Sequence, residues 1–139
     1  MIYNSFINAF LTQSINLTDP DFEYRVVLLS DEYTPDAADS SYDELSRAGF
    51  EIVGDNYIEG GERITFTSNT EENTLNFLGS RVGWTEATFS ARYAIIYRIS
   101  DGLLISCYDF GEEKTVDEGD FVINWDEINT ISLTFNEEA

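Results

Sequence analysis

FSARYAIIYRIS, residues 89–100, is a strongly apolar segment in a chain whose formal charge is −20. Phe89, Ala91, Tyr93, Ile95 and Tyr97 alternate with Ser90, Arg92, Ala94, Ile96 and Arg98. Successive side chains of a strand point to opposite faces, so this pattern predicts one fully apolar face. The other face is mixed, with two arginines six residues apart. Such a strand belongs in the middle of a sheet, its arginines pairing with acids on neighbouring strands, Asp109 among them. Exposed pairs of that kind stabilise little.

Around this strand the same grammar recurs. Asp101-Gly102 is a hairpin signal, and LLISCYDF (103–110) returns beside the first strand. EYRVVLLS (23–30) reads as a mostly buried strand. FEIVG (50–54) and RITFT (63–67) read as strands flanking a turn at Gly60 and Gly61, which requires positive φ. TLNFLG (74–79) alternates, SRVGWTEAT (80–88) bends at Gly83, and FVINW (121–125) and TISLTF (130–135) complete the set with a turn near DEIN (126–129). GEEKTVDEGD (111–120) reads as a polar, mobile connection.

Helical signals are few. Ile2, Phe6, Ile7, Phe10 and Leu11 recur at helical spacing, which predicts an amphipathic helix within residues 1–14. Residues 31–49 are an acidic surface loop in which Ser40 or Ser41 can cap a short helix over 40–48. The expected fold is mainly β, a β-sandwich or jelly-roll-like domain of eight or nine strands. It forms one domain over residues 1–139, because 139 residues bury a sufficient core without disulfide or metal.

Composition excludes several chemistries. The chain has no histidine, which removes catalytic triads, His-metal sites and imidazole bases. Cys107 is the single cysteine, so no intramolecular disulfide forms, and its apolar setting predicts a small buried hydrophobe. Twenty-seven acids against seven bases disfavour direct nucleic-acid binding and anionic membranes. No apolar run approaches the ~20 residues of a membrane span, and the N-terminus lacks a basic signal region. Asp19, Asp21 and Glu23, and again Asp117, Glu118 and Asp120, are acid clusters able to hold calcium weakly, but neither has EF-hand spacing. No nucleophile elbow, phosphate loop or dinucleotide fingerprint is present. The chain reads as a non-enzyme with no catalytic, cofactor or metal residues.

In order along the chain stand YNSFINAFLTQSINL, YRVVLLSDEYTPD, VGDNYIEGGERI, VGWTEATFSARYAIIY, CYDFGEE and GDFVINWDE. This ordered set resembles a family of small structural proteins of tailed bacteriophages. The matching positions are Gly54, Tyr57, Gly60 and Gly61; then Trp84, Ala87, Thr88, Ala91, Arg92, Tyr93, Ala94, Ile96 and Tyr97; then Gly119, Asp120, Phe121, Ile123 and Trp125. They resemble fold determinants, glycines for turns and rings for packing. The chain departs from the family in its acidity and its tail, NEEA.

The resemblance implies a virion component made in the host bacterial cytoplasm, a capsid decoration or cement protein, β-rich and homo-oligomeric, with capsid or other virion proteins as partners. It implies no cofactor. Ile2, Phe6 and Phe10 are the candidate contact arm; the alternative is a helix that covers one open end of the sandwich. Two other functions are weighed. A tail, head-fibre, receptor- or sugar-binding module would use exposed aromatics, with Tyr33, Tyr42 and Tyr57 as candidates; their turn-rich setting reads instead as that of loop anchors. An acidic DNA mimic needs carboxylates along one elongated face, whereas here they gather in loops and at the chain end.

Overall fold

The computed structural model describes residues 1–125 and 130–134. Two helices and seven strands follow in the order α1 (Asn4–Leu11), β1 (Tyr24–Leu29), α2 (Tyr42–Arg47), β2 (Glu62–Ile64), β3 (Phe66–Glu71), β4 (Thr74–Gly79), β5 (Val82–Arg98), β6 (Leu104–Ile123) and β7 (Ile131–Thr134). The strands form two antiparallel sheets, ordered β2-β1-β5-β6 and β3-β4-β7. Among the described residues no helix is long and apolar enough to cross a membrane.

The first sheet is covered on both faces. Tyr24, Val26, Leu28, Ala94 and Ile96 pack in one cluster with Phe66, Phe77 and Ile131 of the second sheet. Val27, Leu29, Tyr93, Ile95 and Tyr97 form a second cluster with Tyr33 and Leu45. This double cover explains why YRVVLL reads as a continuous apolar run and why both faces of residues 93–98 are buried. The mixed face expected of the long strand is therefore an interior face in its C-terminal half. The acidic 31–49 segment supplies the second cover: its carboxylates other than Asp39 are exposed while Tyr33 and Leu45 insert. The short helix expected there is α2, with Ser41 at its N-cap position but without a side-chain cap bond.

Of the two arginines, Arg92 finds its acid on the neighbouring strand as expected, whereas Arg98 pairs within the turn that follows its own strand. Arg92 Nε lies 3.1 Å from Asp109. Arg98, itself buried, is bound by both Asp101 oxygens and donates to the Ser14 carbonyl at 3.0 Å. Cys107 is buried, which pushes its thiol up to about 11.

Several expected elements differ. FEIVG makes a single isolated bridge, Glu51 with Leu29, and Asp55 just beyond it bridges Thr88. RITFT divides at Thr65 because the chain leaves the first sheet after Ile64 and enters the second at Phe66. Residues 68–73, given no strand in the sequence, form a β3–β4 hairpin whose turn residues Glu72 and Asn73 have φ of 45° and 64°. Segments 80–88 and 88–100 are one strand. The turn near DEIN and residues 135–139 lie outside the described residues.

The polar connection expected over 111–120 is instead part of β6, laddered to β5 through Phe89–Val116, Ser90–Thr115 and Ala91–Lys114. Apart from Val116, which packs against the larger cluster, its side chains face water, so no apolar period marks it, and backbone hydrogen bonds hold it.

That ladder is not straight. Its register shifts at Trp84/Ala87, Ala87/Phe89, Ala91/Tyr93 and Ile96/Tyr97, and Glu86, Gly111 and Glu118 take positive φ. Bulges of this kind bend a strand pair sharply. Phe110 and Phe121, eleven positions apart on β6, would stand about 36 Å apart on a straight strand. Their ring centroids are 5.6 Å apart. Trp84 and Phe89 on β5 likewise approach to 6.2 Å. The ribbon doubles back, and rings from both of its limbs join the larger cluster.

Candidate functional site

The N-terminal segment packs on its own chain. Ile2 bridges Ser106, the Tyr3 amide donates to the Ile105 carbonyl at 3.0 Å, and the Met1 ammonium donates to the Cys107 carbonyl at 2.9 Å. Phe6 is fully buried, with Phe10 6.0 Å away, and Ile2 and Phe10 are half-buried against the larger cluster. The three candidate arm residues thus sit together facing inward. The apolar side chains that α1 turns outward are Ile7 and Leu11.

Tyr42 and Tyr57 converge on one carboxylate. Glu51 accepts the Tyr57 hydroxyl at 2.6 Å, the Gly60 amide at 2.9 Å and the Tyr42 hydroxyl in a short bond. Tyr42 stacks on Tyr97, centroids 4.3 Å apart, and Tyr97 donates to the Gly60 carbonyl at 2.8 Å. Burial raises all three hydroxyls above the ordinary phenol value, with the Glu51 charge adding to it; Tyr97 reaches about 12. Gly61 has φ of 78°, and a Cβ there would meet the Val26 carbonyl oxygen at 1.9 Å; one on Gly54 would meet the Thr88 oxygen at 2.3 Å.

Gly54, Tyr57, Gly60 and Gly61 are in this way one clamp that fastens the 49–61 loop to β1 and β5. Tyr33 is also internal, its hydroxyl bonded to Tyr3 and Asp39. Tyr33 is buried, and Tyr42 and Tyr57 are only partly exposed, each with its hydroxyl bonded inside the fold. The open cleft beside the clamp, about 430 Å³, is lined by Ser46, Ile52, Val53, Tyr57 and Glu59 among others. Its central carboxylate is already occupied by three internal donors.

The acid clusters act locally. Asp19 caps the Asp21 amide at 2.9 Å, Glu23 pairs with Arg25 at 2.6 Å, and Asp120 accepts the Glu86 amide at 3.3 Å. Among the described residues no three acidic or cysteine side chains converge as a cation site.

The concavity that sequence reasoning missed lies at the bend of β6. Tyr108, Phe110, Phe121 and Val122 line an open groove of about 430 Å³, with Lys114 and Asp120 at its lip. Tyr108 is 41% exposed and Val122 40%, large values for side chains of this size. Tyr108 and Phe110 stand 5.7 Å apart edge to face, and Trp125 packs beneath Tyr108 at 6.0 Å. β6 is the edge of its sheet. Residues 1–3 and Ser40–Ser41 cover it from Leu103 to Cys107, and no described strand covers it beyond. Only the cluster of aromatics in CYDF and GDFVINW signals this groove in the sequence; the fold-back that joins them does not show there.

Comparison of the chain with known protein families, with curated proteins and with solved structures finds no match.

Proposed function

We propose that this protein works by contact and not by turnover, as a small structural component of a tailed-bacteriophage virion. Its most specific form is a capsid decoration or cement protein. The observation that carries the contact role is the aromatic groove left uncovered at the bend of β6. Aromatic side chains grouped at an open groove, with Tyr108 exposed and Phe110 and Phe121 half-buried, are the usual chemistry of an interface centre. The virion setting is supported by the ordered motif set, whose glycines and rings serve as the turn clamp and core of this fold.

The size suits the task. A standard interface buries about 800 Å² per partner, roughly a tenth of the 8026 Å² that this chain exposes. The two-sheet core supplies a rigid body, and the acidic exterior keeps decorated particles apart at close approach. Copies of the chain assemble with one another on the shell, where they bridge capsid subunits. Synthesis is in the host cytoplasm.

Quantitative mass spectrometry of purified particles tests the reading. Hundreds of copies per particle support decoration, a handful support a tail or fibre position, and absence removes the virion role.

A further inference from the structure

We infer that the aromatic groove at the bend of β6 receives a cationic side chain, arginine foremost, from a basic segment of the partner protein. This rests on the contact role proposed above and names the chemistry of what is contacted. The groove walls are ring faces and edges: Tyr108, Phe110 and Phe121, with neighbouring centroids 5.7 and 5.6 Å apart. Ring faces attract cations, and a planar guanidinium also stacks on them.

Charge selects the same partner. Between Asp109 and Asp120, β6 carries six carboxylates and one base, Lys114. Arg92 holds Asp109 and Lys114 holds Glu112. Glu113, Asp117, Glu118 and Asp120 make no ion pair among the described residues. Of these, Asp120 lines the groove together with the Glu112-paired Lys114, and the other three add to the negative charge of the strand that an incoming cation would meet.

The fold uses this combination internally. The Arg98 guanidinium lies 5.3 Å from the Phe22 ring while bound to Asp101, and Arg92 lies 5.3 Å from the Tyr93 ring while bound to Asp109. A ring beside a carboxylate is thus already where two of this chain's own arginines rest. A second copy is the weaker occupant. Its exposed apolar tip, Val53 and Ile58, is flanked by Asp55 and Glu59, which would meet the unpaired carboxylates of β6 with like charge.

The test titrates the full chain with three capped pentapeptides and follows assigned NMR signals. One peptide carries Arg-Leu-Arg at its centre, the second citrulline-Leu-citrulline, and the third Glu-Leu-Glu. The arginine peptide is expected to shift Tyr108, Phe110 and Phe121, with binding about tenfold tighter than the citrulline peptide. Raising the salt to about 0.5 M should weaken it several-fold. Tyr108→Ala, at an exposed position, should reduce binding, while Leu11→Ala on α1 should not. Equal binding of the citrulline or glutamate peptide, or shifts confined to other surfaces, overturns the inference. Particle copy number is independent of this assay. A protein abundant on particles but indifferent to arginine loses only this inference; arginine binding by a protein absent from particles loses only the virion role.

Discussion

The hydroxyl of Tyr57 donates to Glu51 at 2.6 Å and accepts the Leu28 amide at 3.1 Å, tying the 49–61 loop to β1. β2 pairs with β1 only as far as Val26, so one phenol supplies the acceptor that a strand would otherwise give. Tyr57→Phe removes it, orphaning a buried amide and taking one donor from Glu51. An unsatisfied buried group costs about 1–3 kcal/mol, so Tyr57→Phe should lower stability by about 2 kcal/mol. Tyr42→Phe keeps the stack on Tyr97 and strands no amide, and should cost about half as much. Urea unfolding with an unchanged m-value checks this; equal costs would refute the role given to Leu28.

Arg98 and Asp101 make the pair that closes the β5–β6 hairpin, at 2.7 Å with Arg98 buried and Asp101 half-exposed. The guanidinium, helped by the Leu103 amide, holds the Asp101 carboxyl below its ordinary value. The charged form is favoured by the fold, so its contribution is complete above about pH 4 and fades as the pH falls below that. Solvent on the Asp101 side limits it to about 0.5–1 kcal/mol. Asp101→Asn should therefore destabilise at neutral pH and converge with the parent at about pH 2. A constant difference across that range would mean that the carboxyl's charge is not what matters.

Much of this fold is legible in the chain, and the exceptions share a cause. Residues 93–98 and β1 announce themselves because buried strands must be apolar. Residues 111–120 of β6 do not, because they are held largely by backbone bonds that leave no trace in side-chain type. The break at Thr65 is invisible for a related reason: Ile64 and Phe66 satisfy one alternating pattern while serving two different sheets. Tyr33 reads as a loop anchor and is one, whereas Leu45 is hidden by the carboxylates around it. The groove depends on Phe110 meeting Phe121, and that follows from register shifts rather than from any local period.

Tyrosine burial makes alkali a sharp probe. Tyr3, Tyr33, Tyr42, Tyr57 and Tyr97 all have hydroxyls raised by burial, Tyr97 to about 12. The neutral form is the one the fold favours, so this stability is complete below about pH 10 and is lost as the pH rises through 12. Tyr97 alone accounts for on the order of 2 kcal/mol by the upper end of that window. Cooperative unfolding between about pH 10 and 12 is expected, with tyrosinate absorbance rising together with loss of the near-ultraviolet dichroism. Complete tyrosinate formation in a chain that keeps its dichroism would contradict it.

Gly61 and Gly111 both have positive φ, 78° and 89°, yet their surroundings differ. At Gly61 a Cβ would sit 1.9 Å from the Val26 carbonyl oxygen, inside the backbone of a strand paired on both sides. At Gly111 nothing lies within 4 Å. Gly111→Ala should pay only the left-handed backbone penalty, about 1–2 kcal/mol. Gly61→Ala adds a clash that only displacement of β1 can relieve, and should cost more than about 4 kcal/mol, enough to prevent folding of a marginal domain. Thermal unfolding of the two variants separates strain from collision. Because Gly111 lies on the bend that shapes the groove, its alanine variant should stay folded yet bind the arginine peptide less well, whereas a variant that folds and binds unchanged would show that this glycine does not set the bend.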